Sequence, residues 1–74
     1  MSERRTFTWR GVSHSGQART GQATIRPETM AMMIERYWRA GWPWLEVKCD
    51  GAEVGGVKKK DGRRVWWAEA EKEG

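Results

Sequence analysis

The chain has 74 residues, a net charge of +4 at pH 7, one cysteine, one histidine and six tryptophans. A domain of this size buries only about 60% of its unfolded surface, so it usually needs disulfides, a metal or a partner for stability. One cysteine excludes an internal disulfide, and one cysteine with one histidine excludes a typical zinc site of about four ligands. The tryptophans, at about 150–250 Å² of buried surface each, are therefore expected to supply most of the core, unless the chain self-associates.

The composition predicts a folded cytoplasmic protein without a membrane partner. Charged residues make up 32% of the chain and apolar residues 38%, which is typical of a polar folded domain rather than a disordered tail. No segment resembles a signal peptide, no run approaches the ~18 apolar residues of a membrane span, and a single reduced thiol suits the cytosol. Residues 1–5 are expected to form a flexible basic arm, residues 6–70 a single domain and residues 71–74 an acidic tail.

The first predicted element is a β-hairpin. Apolar and polar residues alternate over residues 6–12 and 19–26, which predicts two strands. A Ser-His-Ser-Gly cluster at residues 13–16 predicts the turn between them. The apolar face of this hairpin is expected to consist of Phe7, Trp9, Ala23 and Ile25.

A helix is predicted to follow over residues 27–40. Proline is favoured at the first helical position, where it loses no hydrogen bond, and Pro27 occupies it. Gly41 and Pro43 predict the end of the helix. Apolar residues recur at steps of three and four, which indicates one buried stripe, and Met32 falls outside it. The stripe consists of Met30, Met33, Ile34, Tyr37 and Trp38.

Three further strands are predicted at residues 44–49, 54–59 and 63–69. Asp-Gly pairs at residues 50–51 and 61–62 predict tight turns, since glycine adopts positive φ without strain. The adjacent Gly55 and Gly56 predict a bulge or a close backbone approach. In the first of these strands the inward residues are expected to be Leu45, Val47 and Cys49.

The order of elements predicts an α+β fold. One helix would pack on a mostly antiparallel sheet, with element order β-β-α-β-β-β and strand order 2-1-3-4-5. One face of the sheet would lie under the helix and the other would be open, which antiparallel sheets tolerate.

The densest charge lies at residues 58–64, which hold five basic residues and one acidic residue. Outside this stretch the 14 basic and 10 acidic residues of the chain reduce to nine of each sign, so this hairpin tip carries the whole net charge. Clustered lysines and arginines bind phosphates by displacing condensed counterions. The alternative is a charged loop that keeps the hairpin soluble and the strand edges unpaired.

Two neighbouring tryptophans follow the basic turn. Trp66 and Trp67 cannot both point inward from a regular strand, because neighbouring side chains alternate between faces. The pattern does not fix which one is exposed. An exposed tryptophan beside cations can stack on a nucleobase or anchor a protein interface. Tryptophans can also form an amphipathic ring around a thin core.

The sequence predicts a non-enzymatic binding module without a cofactor or metal, since no nucleophile–base pair, ligand cluster or cofactor motif is evident. The leading hypothesis is nucleic-acid binding, with phosphates contacted by the basic cluster and a base stacked on one of the two tryptophans. The predicted nucleic-acid-binding residues are Lys58, Lys59, Lys60, Arg63, Arg64, Trp66 and Trp67.

The alternative hypothesis is protein binding. The chain would inhibit a host protein or form a homodimer through exposed tryptophans, and its charge would only steer encounter. This interface would consist of Trp42, Trp44 and Trp67.

The closing part of the chain carries a family resemblance. Val-Gly-Gly-Val at residues 54–57 and Asp-Gly-Arg-Arg-Val-Trp-Trp-Ala-Glu at residues 61–69 occur in a short chain rich in arginine and tryptophan. In this it resembles the small accessory proteins of tailed bacteriophages, especially those of actinobacterial hosts. The resemblance implies a non-enzymatic protein of the host cytoplasm that binds a host or phage macromolecule, and it assigns no site residue.

Overall fold

The computed structural model describes residues 3–69, which form five strands and one helix. All neighbouring strands are antiparallel, in the order β2-β1-β3-β4-β5. The predicted α+β class, element order and sheet order are confirmed. The elements are β1 (Arg5–Val12), β2 (Ala18–Ile25), α1 (Pro27–Arg39), β3 (Trp44–Cys49), β4 (Ala52–Lys60) and β5 (Arg63–Ala68).

The predicted basic arm lies partly within the described residues, and the predicted acidic tail lies outside them. Arg5, predicted to belong to the basic arm, is the first residue of β1. The predicted acidic tail at residues 71–74 lies outside the described residues. No helix among residues 3–69 is long and apolar enough to cross a membrane.

Both Asp-Gly pairs form the predicted turns. Asp61 and Gly62 have φ values of 54° and 77°, and Asp50 and Gly51 have φ values of 53° and 80°. Two successive positive φ angles are characteristic of the two-residue turn whose twist matches that of the flanking strands. Each turn therefore fixes the register of the hairpin that it closes.

The helix is amphipathic, as its spacing predicts. Met30 and Ile34 are fully buried, while Met32 is 62% exposed. The chain leaves the helix through Gly41, which has a φ of 86°, and the amide of Trp42 donates to the carbonyl of Tyr37 at 3.2 Å. Glycine in this conformation satisfies the last helical carbonyls and turns the chain toward β3.

The core between α1 and the sheet is mostly aliphatic. Among residues 3–69 no tryptophan belongs to the buried cluster, and Trp9 and Trp38 are half-buried against its edge. The prediction that tryptophans supply most of the core is therefore wrong, and the alternative of an aromatic ring around a thin core describes the structure. The buried cluster consists of Phe7, Met30, Ile34, Leu45, Val47, Cys49 and Val57.

A bulge in β4 determines which residues of the last two strands face the helix. Val47 pairs with Gly55, whereas the next residue, Lys48, pairs with Glu53, so Val54 is an extra residue in β4. An extra residue reverses the alternation of side chains beyond it. As a result Val57 points into the core. The predicted bulge at this glycine-containing segment is confirmed.

The two faces of the sheet are called here the helix face, which carries the core residues, and the open face. Residues paired across neighbouring strands lie on the same face, so the pairing extends each face over the whole sheet. On the strands β1, β3, β4 and β5 the open face includes Thr8, Arg10, Trp44, Glu46, Lys48, Glu53, Gly56, Lys58, Lys60, Arg63, Val65 and Trp67.

We expect Ile34→Ala to lower the free energy of unfolding by about 2–5 kcal/mol, because the substitution leaves a cavity in the centre of a thin core. Met32→Ala, two residues away on the exposed side of α1, should change it by less than about 0.5 kcal/mol. Urea denaturation followed by circular dichroism measures both values. Similar losses in the two variants would contradict the packing described here.

Candidate functional site

Strand pairing divides the seven predicted nucleic-acid-binding residues between the two faces. Trp66 pairs with the core residue Val57 and therefore lies on the helix face, whereas Trp67 pairs with Gly56 on the open face. The sequence pattern left this choice open. The helix face also carries Lys59 and Arg64. The open face also carries Lys58, Lys60 and Arg63.

Arg64 holds the β4–β5 hairpin against the end of the helix. Its Nη1 donates to the carbonyl oxygens of Trp38 at 2.9 Å and Trp42 at 3.2 Å. The guanidinium lies 4.2 Å from the centroid of the Trp38 ring. Charge-assisted hydrogen bonds to carbonyls at a helix C-terminus are favourable, because the helix dipole is negative there. Arg64 therefore has a structural role, and its contact with phosphate stays a prediction.

Trp66 is exposed at the rim of the helix face. Its ring lies 6.5 Å from that of Trp38, tilted by 31°, and the residue is 38% exposed. It extends the aromatic ring around the core. Trp66 therefore does not share a surface with the open-face cations.

Trp67 lies against the backbone of β4 on the open face. A Cβ built at Gly56 would lie 3.2 Å from Cη2 of Trp67 and would collide with the carbonyl oxygen of Leu45. The glycine thus allows the indole to approach the strand. The ammonium of Lys58 is 4.8 Å from the Trp67 ring centroid, within the range of a cation–π interaction.

A second tryptophan occupies the open face on β3. The guanidinium of Arg10 is 5.6 Å from the centroid of the Trp44 ring. Arg10 Nε also donates to Glu46 Oε1 at 3.2 Å, and Lys48 Nζ lies 3.6 Å from the same oxygen. The outward position of Trp44 was predicted, but its pairing with Arg10 was not. Alternation in β1 combined with the predicted strand order could have located it.

The open face has an excess of positive charge. Two carboxylates, Glu46 and Glu53, lie among five cations, and Glu46 is already shared by Arg10 and Lys48. The three of these cations that lie on the β4–β5 hairpin, Lys58, Lys60 and Arg63, are exposed and have no ion pair within 4 Å among the described residues. The cations of this face are Arg10, Lys48, Lys58, Lys60 and Arg63.

A depression of about 360 Å³ is lined by residues of β2, β1 and β3. Its volume lies in the lower part of the range of about 300–1,000 Å³ for ligand sites, and Trp9 and Gly21 contribute to its lining. The open-face side chains that line it are Thr8, Arg10, Thr20, Glu46 and Lys48.

The residues of the alternative protein interface are also divided. Trp42 packs on the helix side, where its ring lies 4.5 Å from that of Tyr37, edge to face, and a Cβ built at Gly11 would approach it to 3.0 Å. Trp44 and Trp67 lie on the open face. The three predicted interface tryptophans therefore do not form one surface.

Residues 3–69 contain no group of three or more His, Cys, Asp or Glu side chains that could hold a metal ion. The single histidine, His14, is exposed in the β1–β2 turn, as predicted. Cys49 is buried in the core cluster. The cations and tryptophans of the open face form the candidate site.

Arg64→Ala should lower the free energy of unfolding by about 1.5–3 kcal/mol, because it removes hydrogen bonds from a charged donor to two backbone carbonyls. Arg63→Ala removes the same charge from the neighbouring exposed position and should change stability by less than about 0.5 kcal/mol. Urea denaturation distinguishes the two. Equal effects would show that Arg64 does not hold the hairpin.

Gly56→Ala should be more destabilising than Gly51→Ala. Both positions have positive φ, 155° and 80°, but a Cβ at Gly51 has no atom within 4 Å. The difference combines the collision at Gly56 with the greater backbone strain of a side chain at its φ, and we expect at least about 1–3 kcal/mol, the usual cost of overpacking. Thermal or urea denaturation of the two variants gives this difference, and a value near zero would exclude the close approach.

Comparison with known proteins assigns no family to this geometry. The resemblance to tailed-bacteriophage accessory proteins therefore stays a prediction. The chain matches no protein-family model, no curated protein and no solved structure.

Proposed function

We propose that this protein binds nucleic acid through the open face of its sheet. Lys58, Lys60 and Arg63 contact the phosphate backbone, and Trp67 provides a surface for a base. The observation that carries the proposal is the position of this indole on the same face as three exposed cations of the hairpin that make no ion pair with any other residue of the range 3–69.

The charge distribution supports a polyanionic partner. The β4–β5 hairpin extends past the last pair that β4 makes with β3, Leu45 with Val57, so its cations project from the sheet. Neutralising phosphates releases condensed counterions, a source of affinity that needs no reading of sequence. The polar open face with a cationic excess is suited to contacts of this kind.

The arrangement favours general over sequence-specific binding. Lysine and arginine heads on an exposed hairpin contact phosphates wherever they occur along the strand. Aromatic stacking is tolerant of sequence because every base has a π-face. The chain is therefore expected to bind many sequences with similar affinity and with a steep dependence on salt.

The double variant Lys60→Ala/Arg63→Ala tests the phosphate contacts. Each contact contributes about 0.7–0.9 to the slope of log K against log salt, so we expect the slope to fall by about 1.4–1.8. The matched control is Arg36→Ala/Arg39→Ala, which removes the same charge from exposed positions on the helix, away from the open face. Fluorescence anisotropy with labelled oligonucleotides over a series of salt concentrations gives the slopes.

Two results would overturn the proposed function. One is the absence of binding to single-stranded and duplex DNA and RNA at low salt. The other is an equal loss in the hairpin and helix double variants, which would mean that only net charge matters. Binding of a protein partner that survives high salt, and that is lost on Trp→Ala rather than Lys→Ala substitution, would instead favour the protein-binding alternative.

A further inference from the structure

We infer that the nucleic acid bound by the open face is single-stranded, with unpaired bases stacked on Trp67 and Trp44. This inference rests on the proposed function and specifies its ligand. It depends on the placement of both indoles, on the cations over their rings and on the polar surface that continues from them.

A cationic side chain lies over the ring of each of the two half-buried indoles. Lys58 reaches the ring of Trp67 to 4.8 Å, and Arg10 reaches the ring of Trp44 to 5.6 Å. Both cationic residues are exposed, so neither ring is closed off by the core. A ring face that an exposed cation can reach is also one on which a base can stack, once the cation moves aside.

The separation of the two indoles does not fit a duplex. Trp44 and Trp67 lie on β3 and β5, with β4 between them, and are offset by two residues along the strands. With strands about 4.8 Å apart and a rise of about 3.4 Å per residue, their Cα atoms are about 12 Å apart. Neighbouring bases along one duplex strand are only about 3.4 Å apart. Two residues this far apart do not match neighbouring bases of a duplex strand, whereas an extended, unpaired strand can place bases on both of them.

Duplex bases also cannot offer their faces to a flat sheet. In a duplex each base is stacked between its neighbours, and only its edges are accessible in the grooves. Stacking on a protein aromatic requires bases that are unpaired or turned out of the helix. Trp44 and Trp67 lie on strands of the open face, where an unpaired base can stack on them.

The cations mark a path for such a strand across the sheet. Trp67 lies in one row of paired residues with Gly56, Glu46, Arg10 and Thr20, from β5 to β2. Four strand spacings of about 4.8 Å make this row about 19 Å long. Lys58, Lys60 and Arg63 lie two to four residues away along the two strands at one end of the row, and Arg10 and the depression that it lines lie toward the other end. Phosphates and bases can alternate along this path.

The primary test compares single-stranded and duplex oligonucleotides of one sequence, about 16 nucleotides long, in DNA and RNA versions. Binding is followed by anisotropy of a label and by quenching of tryptophan fluorescence. We expect the single strands to bind at least tenfold more tightly than the duplexes at the same salt concentration, and to quench the fluorescence.

Neighbouring tryptophans provide a matched pair of variants. Trp67→Ala should weaken binding to single strands about 5- to 100-fold, the range for loss of one stacked base. Trp66→Ala removes the same side chain from the opposite face and should leave the affinity within about twofold. Trp44→Ala should cause a loss of the same kind as Trp67→Ala. If Trp67→Ala does not fold, Trp67→Leu against Trp66→Leu keeps the comparison, because leucine fills space without stacking.

The outcomes separate this inference from the proposed function. Duplexes that bind as tightly as single strands, or equal losses in the Trp66 and Trp67 variants, would overturn the single-strand inference and leave phosphate binding intact. Absence of binding to any oligonucleotide at low salt would overturn both. Tight single-strand binding that depends on Trp67 and Trp44, but not on Trp66, would support both.

Discussion

The structure depends on the absence of side chains at two neighbouring positions of β4. At Gly55 a Cβ would lie 2.5 Å from Cδ1 of Ile34, so the glycine lets the helix pack closely on the sheet. At Gly56, on the other face, a Cβ would collide with the Leu45 carbonyl and crowd the Trp67 indole. One glycine thus serves the core and the other serves the open face. Stability and the candidate binding surface are set at adjacent residues of one strand.

The same division continues along β5. Trp66 packs beside Trp38 at the rim of the helix face, while Trp67 lies on the open face under Lys58. Arg64, between the helix end and the hairpin, fixes the orientation of this strand relative to α1. A small domain with an aliphatic core uses its large aromatic side chains mainly at its borders, where their polar edges remain accessible.

Most of the fold could be predicted from local patterns, because alternation, helical spacing and Asp-Gly turns are short-range signals. The faces on which the side chains of β4 and β5 lie could not be predicted in this way, because they depend on the single extra residue Val54. Without the bulge at Val54, the register set by the Asp50-Gly51 turn would put Gly56 opposite Leu45 and turn Trp67 toward the helix. The extra residue reverses this arrangement. The two glycines predicted a bulge. Which side chains beyond it face the helix can be predicted only when the position of the extra residue is known.

The candidate site was predicted in part for the same reason. Residues 58–64 concentrate charge whatever the register, so the cationic hairpin was recognisable from composition. Alternation places Arg63 and Arg64 on opposite faces, but which of them lies on the open face follows only from the pairing of β5 with β4. The contribution of Arg10, 48 residues before Lys58, requires the order of strands in the sheet as well as alternation. Long-range neighbours of this kind leave no local pattern.

The position of Lys58 over Trp67 gives this lysine two competing partners. In the free protein its ammonium occupies the aromatic surface at 4.8 Å, an interaction of about 0.5–1 kcal/mol at an exposed site. A base stacked on Trp67 would displace this ammonium, which could then form an ion pair with a nearby phosphate. The net contribution of Lys58 to affinity is then its attraction to the phosphate minus its attraction to the Trp67 ring. Lys60 has no such aromatic partner among the described residues, so it loses none on binding. Two exposed lysines of equal charge, two residues apart on one strand, would thus contribute differently to the free energy of binding.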